Sequence, residues 1–166
     1  MSAPRILIAG IGNIFFGDDG FGVEVARRLS GRPATAGVRI VDFGIRGIDL
    51  TYALLEGHDR VILVDAIQRG GEPGSLYVVE PGTLPTDGAM QTHEMAPAQV
   101  LAAARALGAD TSKVLLVGCE PENFGSETEP LMGLTDRIAA AVDGAVALID
   151  SLVAESLLAP AAGRNG

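Results

Sequence analysis

The chain has 166 residues, of which 48% are hydrophobic and 4% aromatic, with no Trp and a mean hydropathy of +0.32. That size and composition suit one globular domain with an aliphatic core and exclude a disordered chain. Lys and Arg total 12 against 21 Asp and Glu, a net charge of −9, which argues against nucleic acid or an anionic membrane as partner and favours cations or a basic peptide segment.

In chain order, residues 6–9 (ILIA) read as a strand buried on both faces, as in a parallel sheet. A glycine-rich turn follows, GIGNIFFGDDGFG over residues 10–22, in which Gly10 and Gly12 turn the chain. Residues 21–30 carry helical spacing at Phe21, Val25 and Leu29, and Gly31-Arg32-Pro33 ends that helix. A short strand at 38–41 runs up to Asp42. The loop Gly44-Ile45-Arg46-Gly47 then leads to a helix at 48–56 closed by Gly57. Residues 61–64 (VILV) form the clearest buried strand and end at Asp65. Turn chemistry at 70–74 precedes a strand at 75–80, suited to a sheet edge.

An irregular stretch, 81–92, delivers His93 to the head of an alanine-rich helix over 96–107. Another buried strand, 113–117, ends at Gly118-Cys119-Glu120-Pro121. A long acidic loop then reaches Thr135, read as the N-cap of a helix running to 158. Asp136, Asp143 and Asp150 repeat every seven residues there, which marks a solvated stripe and not a membrane span. The expected fold is α/β: a three-layer α/β/α sandwich around a mainly parallel twisted sheet of about five strands. Residues 1–158 are expected to form a single domain, and 159–166 a disordered tail. The N-terminus shows no secretory signal, and the single cysteine, Cys119, excludes an internal disulfide. A cytoplasmic protein is the resulting expectation, and a monomer is expected because one sheet consumes the amphipathic surfaces.

Carboxylates follow three of the strands: Asp18 and Asp19, Asp42, and Asp65. In a parallel sheet the carboxyl ends of strands share one edge, where α/β proteins place their sites. A dinucleotide-dependent oxidoreductase is the first alternative, with Asp42 as the ribose-binding acid. However, Phe15 stands where the phosphate fingerprint needs its third glycine. Asp18-Asp19 would also face the pyrophosphate, and like charges at contact distance cost about 1 to 4 kcal/mol in wet to surface-like dielectrics. The pair suits a cation. Of the two histidines, His58 lies at the amino end of a strand and reads as a surface residue, whereas His93 arrives on the side where the loops converge. One imidazole and two carboxylates make a three-ligand metal site with a fourth position for substrate or water. Asp18 and Asp19 have a competing use, capping the helix that follows. The sequence around His93 (HEMAP) begins like a zinc-protease helix but has Pro97 where the second histidine must stand. Cys119, following a buried strand, reads as inert packing.

Taken together, these residues resemble the [NiFe]-hydrogenase maturation endopeptidases. The resemblance rests on Gly10-Ile11-Gly12-Asn13, Gly17-Asp18-Asp19-Gly20-Phe21-Gly22, Val64-Asp65-Ala66, His93, the turn at 117–121 and Leu131-Met132-Gly133-Leu134-Thr135, and it spans roughly residues 5–152. It implies an endopeptidase that removes the C-terminal extension of a hydrogenase large-subunit precursor after nickel insertion, with nickel supplied by the substrate. It also implies Asp19, Asp65 and His93 as catalytic and metal-contacting residues, in a metal-dependent or aspartic-type reaction. A non-cleaving, metal-sensing chaperone of the precursor is the alternative. Many members carry Gly-Thr in the loop after the second strand, where this chain has Gly44-Ile45-Arg46-Gly47, which points to a separate subgroup. Arg46 and the acidic loop 120–129 are candidates for reading the precursor's shape and charge.

Overall fold

The structure, a computed structural model, describes residues 4–80 and 96–158. Five strands form one sheet: β1 (Ile6–Ile11), β2 (Val38–Gly44), β3 (Arg60–Ala66), β4 (Leu76–Val79) and β5 (Val114–Cys119). Their spatial order is β2-β1-β3-β5-β4. All neighbours run parallel except β4, which pairs antiparallel with β5 at the sheet's edge. Helices α1 (Phe21–Ser30) and α4 (Asp136–Leu158) cover one face, and α2 (Gly47–Leu54) and α3 (Pro97–Ala106) cover the other. This is the expected mixed, mostly parallel α/β sandwich.

The alternation of strand side chains divides the core into two layers. Leu7, Ala9 and Ile11 of β1 join Leu50 and Ala53 of α2 and Leu101 and Ala104 of α3. Ile8 of the same strand points the other way, toward Phe21, Val25 and Leu29 of α1 and Ile138, Val142 and Ile149 of α4. Burying each of these larger side chains contributes about 1.5 to 3 kcal/mol, so the two layers together hold the sheet between its helices. Asp143 and Asp150 of α4 are not left to solvent alone. They pair with Arg28 of α1 and with Arg32 just beyond its end, the latter in a two-pronged contact of 2.8 and 3.0 Å.

Two strands run further than their apolar runs suggest. β2 continues through Asp42 to Gly44, with an irregularity in its pairing to β1 between Gly10 and Ile11. β3 continues through Asp65, which pairs in register with Gly118 of β5. Backbone pairing, not side-chain hydrophobicity, sets these ends, so the carboxylates of Asp42 and Asp65 belong to the strands themselves. His93, the irregular stretch before it and the expected tail at 159–166 lie outside the described residues. No described helix is long and apolar enough to cross a membrane.

Candidate active site

The carboxyl edge of the sheet is built around the turn that joins β1 to α1. Gly12 has φ +149°, and a Cβ there would collide with the carbonyl oxygen of Asp19. Gly22 permits a second close approach, because a Cβ on it would strike the carbonyl oxygens of both Val64 and Ile11. These contacts press the first turn of α1 against the ends of β1 and β3. Between them a 3-10 turn, Gly17–Gly20, carries Asp18, which is buried, and Asp19, which is half-buried.

Asp18 points inward and is fully buried. Its Oδ2 accepts from the backbone N–H groups of Glu122 and Asn123 at 2.9 and 2.8 Å, and its Oδ1 accepts from that of Thr135 at 2.8 Å. The Thr135 hydroxyl donates to the same carboxylate at 2.9 to 3.0 Å. Asp18 therefore does not cap α1, whose N-cap position is Gly20 and which has no side-chain cap. It fastens the 120s loop and the start of α4. Thr135 stands where the sequence placed an N-cap, yet its hydroxyl serves Asp18.

Asp19 is half-buried, and its Oδ2 accepts from the backbone N–H of Asn13 at 3.0 Å. Its charge reaches Asp65 at the end of β3. Asp65 is only 5% exposed. Burial pushes its pKa well above the usual carboxylate range and the Asp19 charge pushes the same way, while a 2.8 Å bond from the Ala66 N–H to Asp65 Oδ1 opposes them. The result is a carboxyl group that keeps its proton where exposed carboxylates have lost theirs, beside a second acid. Asymmetric carboxyl pairs of this kind suit general acid and general base work. The fold thus brings together two of the three expected site residues, and the third, His93, lies outside the described residues. Among the described residues, no three His, Cys, Asp or Glu side chains cluster closely enough to hold a metal ion.

Other candidates separate from this edge. His58 sits at the amino end of β3, half-buried, with its pKa lowered chiefly by burial and no described partner for Nδ1. Cys119 is buried, and burial with the nearby Asp18 and Glu120 charges pushes its thiol up to about 12, which disfavours the nucleophilic thiolate. Arg46 folds back on its own loop, donating to the carbonyl oxygen of Asp42, pairing with Asp49 at 3.2 Å and lying over the Phe43 ring. Glu120 is internal: it accepts from the N–H groups of Arg69 and Gly70 and from the Tyr77 hydroxyl. Of the loop's four acidic residues, Glu122, Glu127 and Glu129 remain exposed. Asn13 escaped sequence reasoning as a site residue, although its place between two glycines and the Asp18-Asp19 pair was a usable signal.

Comparison with known proteins agrees with this fold. A family profile described as hydrogenase maturation protease matches residues 23–151. The hydrogenase expression/formation protein HupD of Rhizobium leguminosarum bv. viciae is 39% identical over 90% of this chain and 76% of its own length. The hydrogenase 2 maturation protease of Escherichia coli K12 is 31% identical over 92% of both chains. Among solved structures, the hydrogenase maturating endopeptidase HybD of E. coli superposes with a TM-score of 0.78 at 30% identity, covering 92% of this chain and 93% of its own. The hydrogenase 2 maturation peptidase of Thaumarchaeota archaeon SCGC_AB-539-E09 gives 0.67 at 31% identity, over 90% and 98% of the two chains. With the glycine-braced turn, the paired acids and the sheet order all in place, the chain belongs to the hydrogenase maturation protease family.

Proposed function

We propose that this chain is an endopeptidase that removes the C-terminal extension of a [NiFe]-hydrogenase large-subunit precursor once nickel has been inserted. The observation that supports it most directly is the buried Asp65 beside Asp19 at the carboxyl edge of a sheet of this family's kind. In the aspartic-type route, water attacks the scissile carbonyl carbon and gives up a proton to the Asp19 carboxylate. The C–N bond then breaks as the protonated Asp65 delivers its proton to the leaving amine.

Nickel enters this reading as part of the substrate. Asp19, Asp65 and His93 are the proposed contacts, an oxygen and nitrogen set too hard to draw nickel away from thiolates, so it would inspect the metal without removing it. Metal contact favours the ionised form of Asp65, whereas proton delivery needs the protonated form. The two routes therefore differ in their pH dependence. The protein would act in the cytoplasm as a monomer.

The test is incubation with the precursor, nickel-loaded and nickel-free, followed by intact mass. Loss of the extension from the loaded form alone is the expected result. Cleavage of both forms would remove nickel recognition, and tight binding with no change in mass would make the protein a non-cleaving chaperone. Asp19→Asn, Asp65→Asn and His93→Ala are each expected to abolish cleavage, and full activity in any of them would remove that residue from the site.

A further inference from the structure

The loop that carries Asp19 also displays apolar side chains outward. Phe15 is 58% exposed and Ile14 47%, while Met132 on the adjoining loop is 61% exposed and Ile45 after β2 is 49%. Such side chains are common on flexible segments, but these loops are tightly fastened. The Phe15 N–H donates to Asn13 Oδ1 at 3.0 Å and the Phe16 N–H to the Asn13 carbonyl at 3.1 Å. Phe16 forms a parallel bridge with Leu131, and the Gly17 N–H donates to the Leu131 carbonyl at 2.6 Å. The Gly12 N–H donates to the Gly44 carbonyl at 3.0 Å, which ties in the loop bearing Ile45. Apolar groups held rigidly in water contribute nothing to the core. They are the kind of preorganised anchors on which binding energy concentrates.

We propose that Phe15, Met132, Ile14 and Ile45 form a docking rim for an apolar patch on the folded body of the protein substrate, separate from the tail that is cut. This inference rests on the endopeptidase reading above. The choice of occupant follows from position. Phe15 stands four residues before Asp19 in a hydrogen-bonded turn, and Leu131, next to Met132, pairs with that turn. A folded protein that brings a peptide bond to Asp19 and Asp65 would meet the loops that carry Phe15 and Met132. A standard interface covers about 800 Å² per partner, far more than the few residues of a tail at a scissile bond supply. The net charge of −9 would repel an acidic surface, and a neutral apolar contact beside the acids avoids that repulsion.

The test compares wild type with Phe15→Ser, Met132→Ser and the control Leu107→Ser, whose leucine is equally exposed at the far end of α3. Both the binding of nickel-loaded precursor and its rate of cleavage are measured. Phe15→Ser and Met132→Ser should each weaken binding and raise KM on the order of tenfold with kcat unchanged, the pattern of lost uniform binding. Leu107→Ser should match wild type, and melting temperatures should stay level. Unchanged binding in the two rim variants would overturn the rim while wild-type cleavage still stood. Wild type that binds in a rim-dependent way without cutting would remove the peptidase reading and keep the rim. Wild type that neither binds nor cuts would remove both. If Phe15→Ser instead dissociates a homodimer in light scattering, the rim belongs to a second copy and the proposal fails.

Discussion

The backbone N–H of Asn13 holds Oδ2 of Asp19 at 3.0 Å, and the Asn13 side chain in turn accepts from the Phe15 N–H at 3.0 Å. One residue thus shapes the turn and aims a candidate catalytic carboxylate. Asn13→Ala keeps the backbone donor but loses the side-chain bond that holds the turn in place. Cleavage is expected to slow on the order of tenfold, since small misplacements of reacting groups are costly. Stability should fall by only about 1 kcal/mol, the usual net value of one such bond. Chemical denaturation alongside precursor cleavage measures both, and a wild-type rate would show that Asp19 is aimed without Asn13.

Asp18 and Asp19 are neighbours with opposite expected phenotypes. Asp18→Ala would leave three N–H groups and a hydroxyl without their acceptor in a partly buried setting. A loss of about 3 kcal/mol or more is expected, with the 120s loop and the start of α4 loosened together. Asp19→Asn should change stability little and abolish cleavage. Urea unfolding of both variants distinguishes them. Equal stability would mean that the donors around Asp18 find water instead.

Much of this arrangement is legible in the chain because its signals are local. The apolar runs at 6–9 and 61–64 identify β1 and β3, and the spacing of Phe21, Val25 and Leu29 marks α1 from its first residue to its last but one. The pairing of Asp19 with Asp65 could be anticipated, because parallel strands put their carboxyl ends on one edge. Long-range roles were not legible. Asp18 serves residues more than 100 positions away, and Glu120 serves Arg69 and Gly70 some 50 positions earlier, relationships that no local pattern encodes. Arg46 illustrates a further limit. An exposed arginine in a site loop looks available for substrate, but its carbonyl, carboxylate and aromatic partners all lie within four residues of it.

Asp65 carries a pH-dependent cost. Burial first, and then the Asp19 charge, raise its pKa in the folded protein, so the folded state binds this proton more tightly than the unfolded state does. Stability is therefore unaffected by Asp65 below the unfolded carboxylate pKa of about 3.9 and declines as pH rises beyond it. The loss is complete only once pH has passed the raised folded value. Asp65→Asn removes this titration. In metal-free protein the variant should melt higher than wild type at pH 7 to 8, with the gap narrowing as pH falls toward 4. Thermal melts across that range measure it, and a constant gap would show that Asp65 does not titrate differently in the fold.

Cys119 is the remaining group with nucleophilic chemistry among the described residues of this edge, and it should prove dispensable. Burial first, then the Asp18 and Glu120 charges, push the thiol up to about 12, which disfavours the thiolate at neutral pH. Its Sγ lies 3.7 Å from the Glu120 carbonyl oxygen, a weak contact, at the buried last residue of β5. Cys119→Ala should cleave precursor at the wild-type rate while losing about 1 to 2 kcal/mol of stability through the small void it leaves. Iodoacetamide should leave the folded protein unlabelled by intact mass and add one adduct after unfolding in urea. Rapid labelling of the native protein, with loss of cleavage in the alanine variant, would instead place a thiol nucleophile at the centre of the reaction and displace the two aspartates.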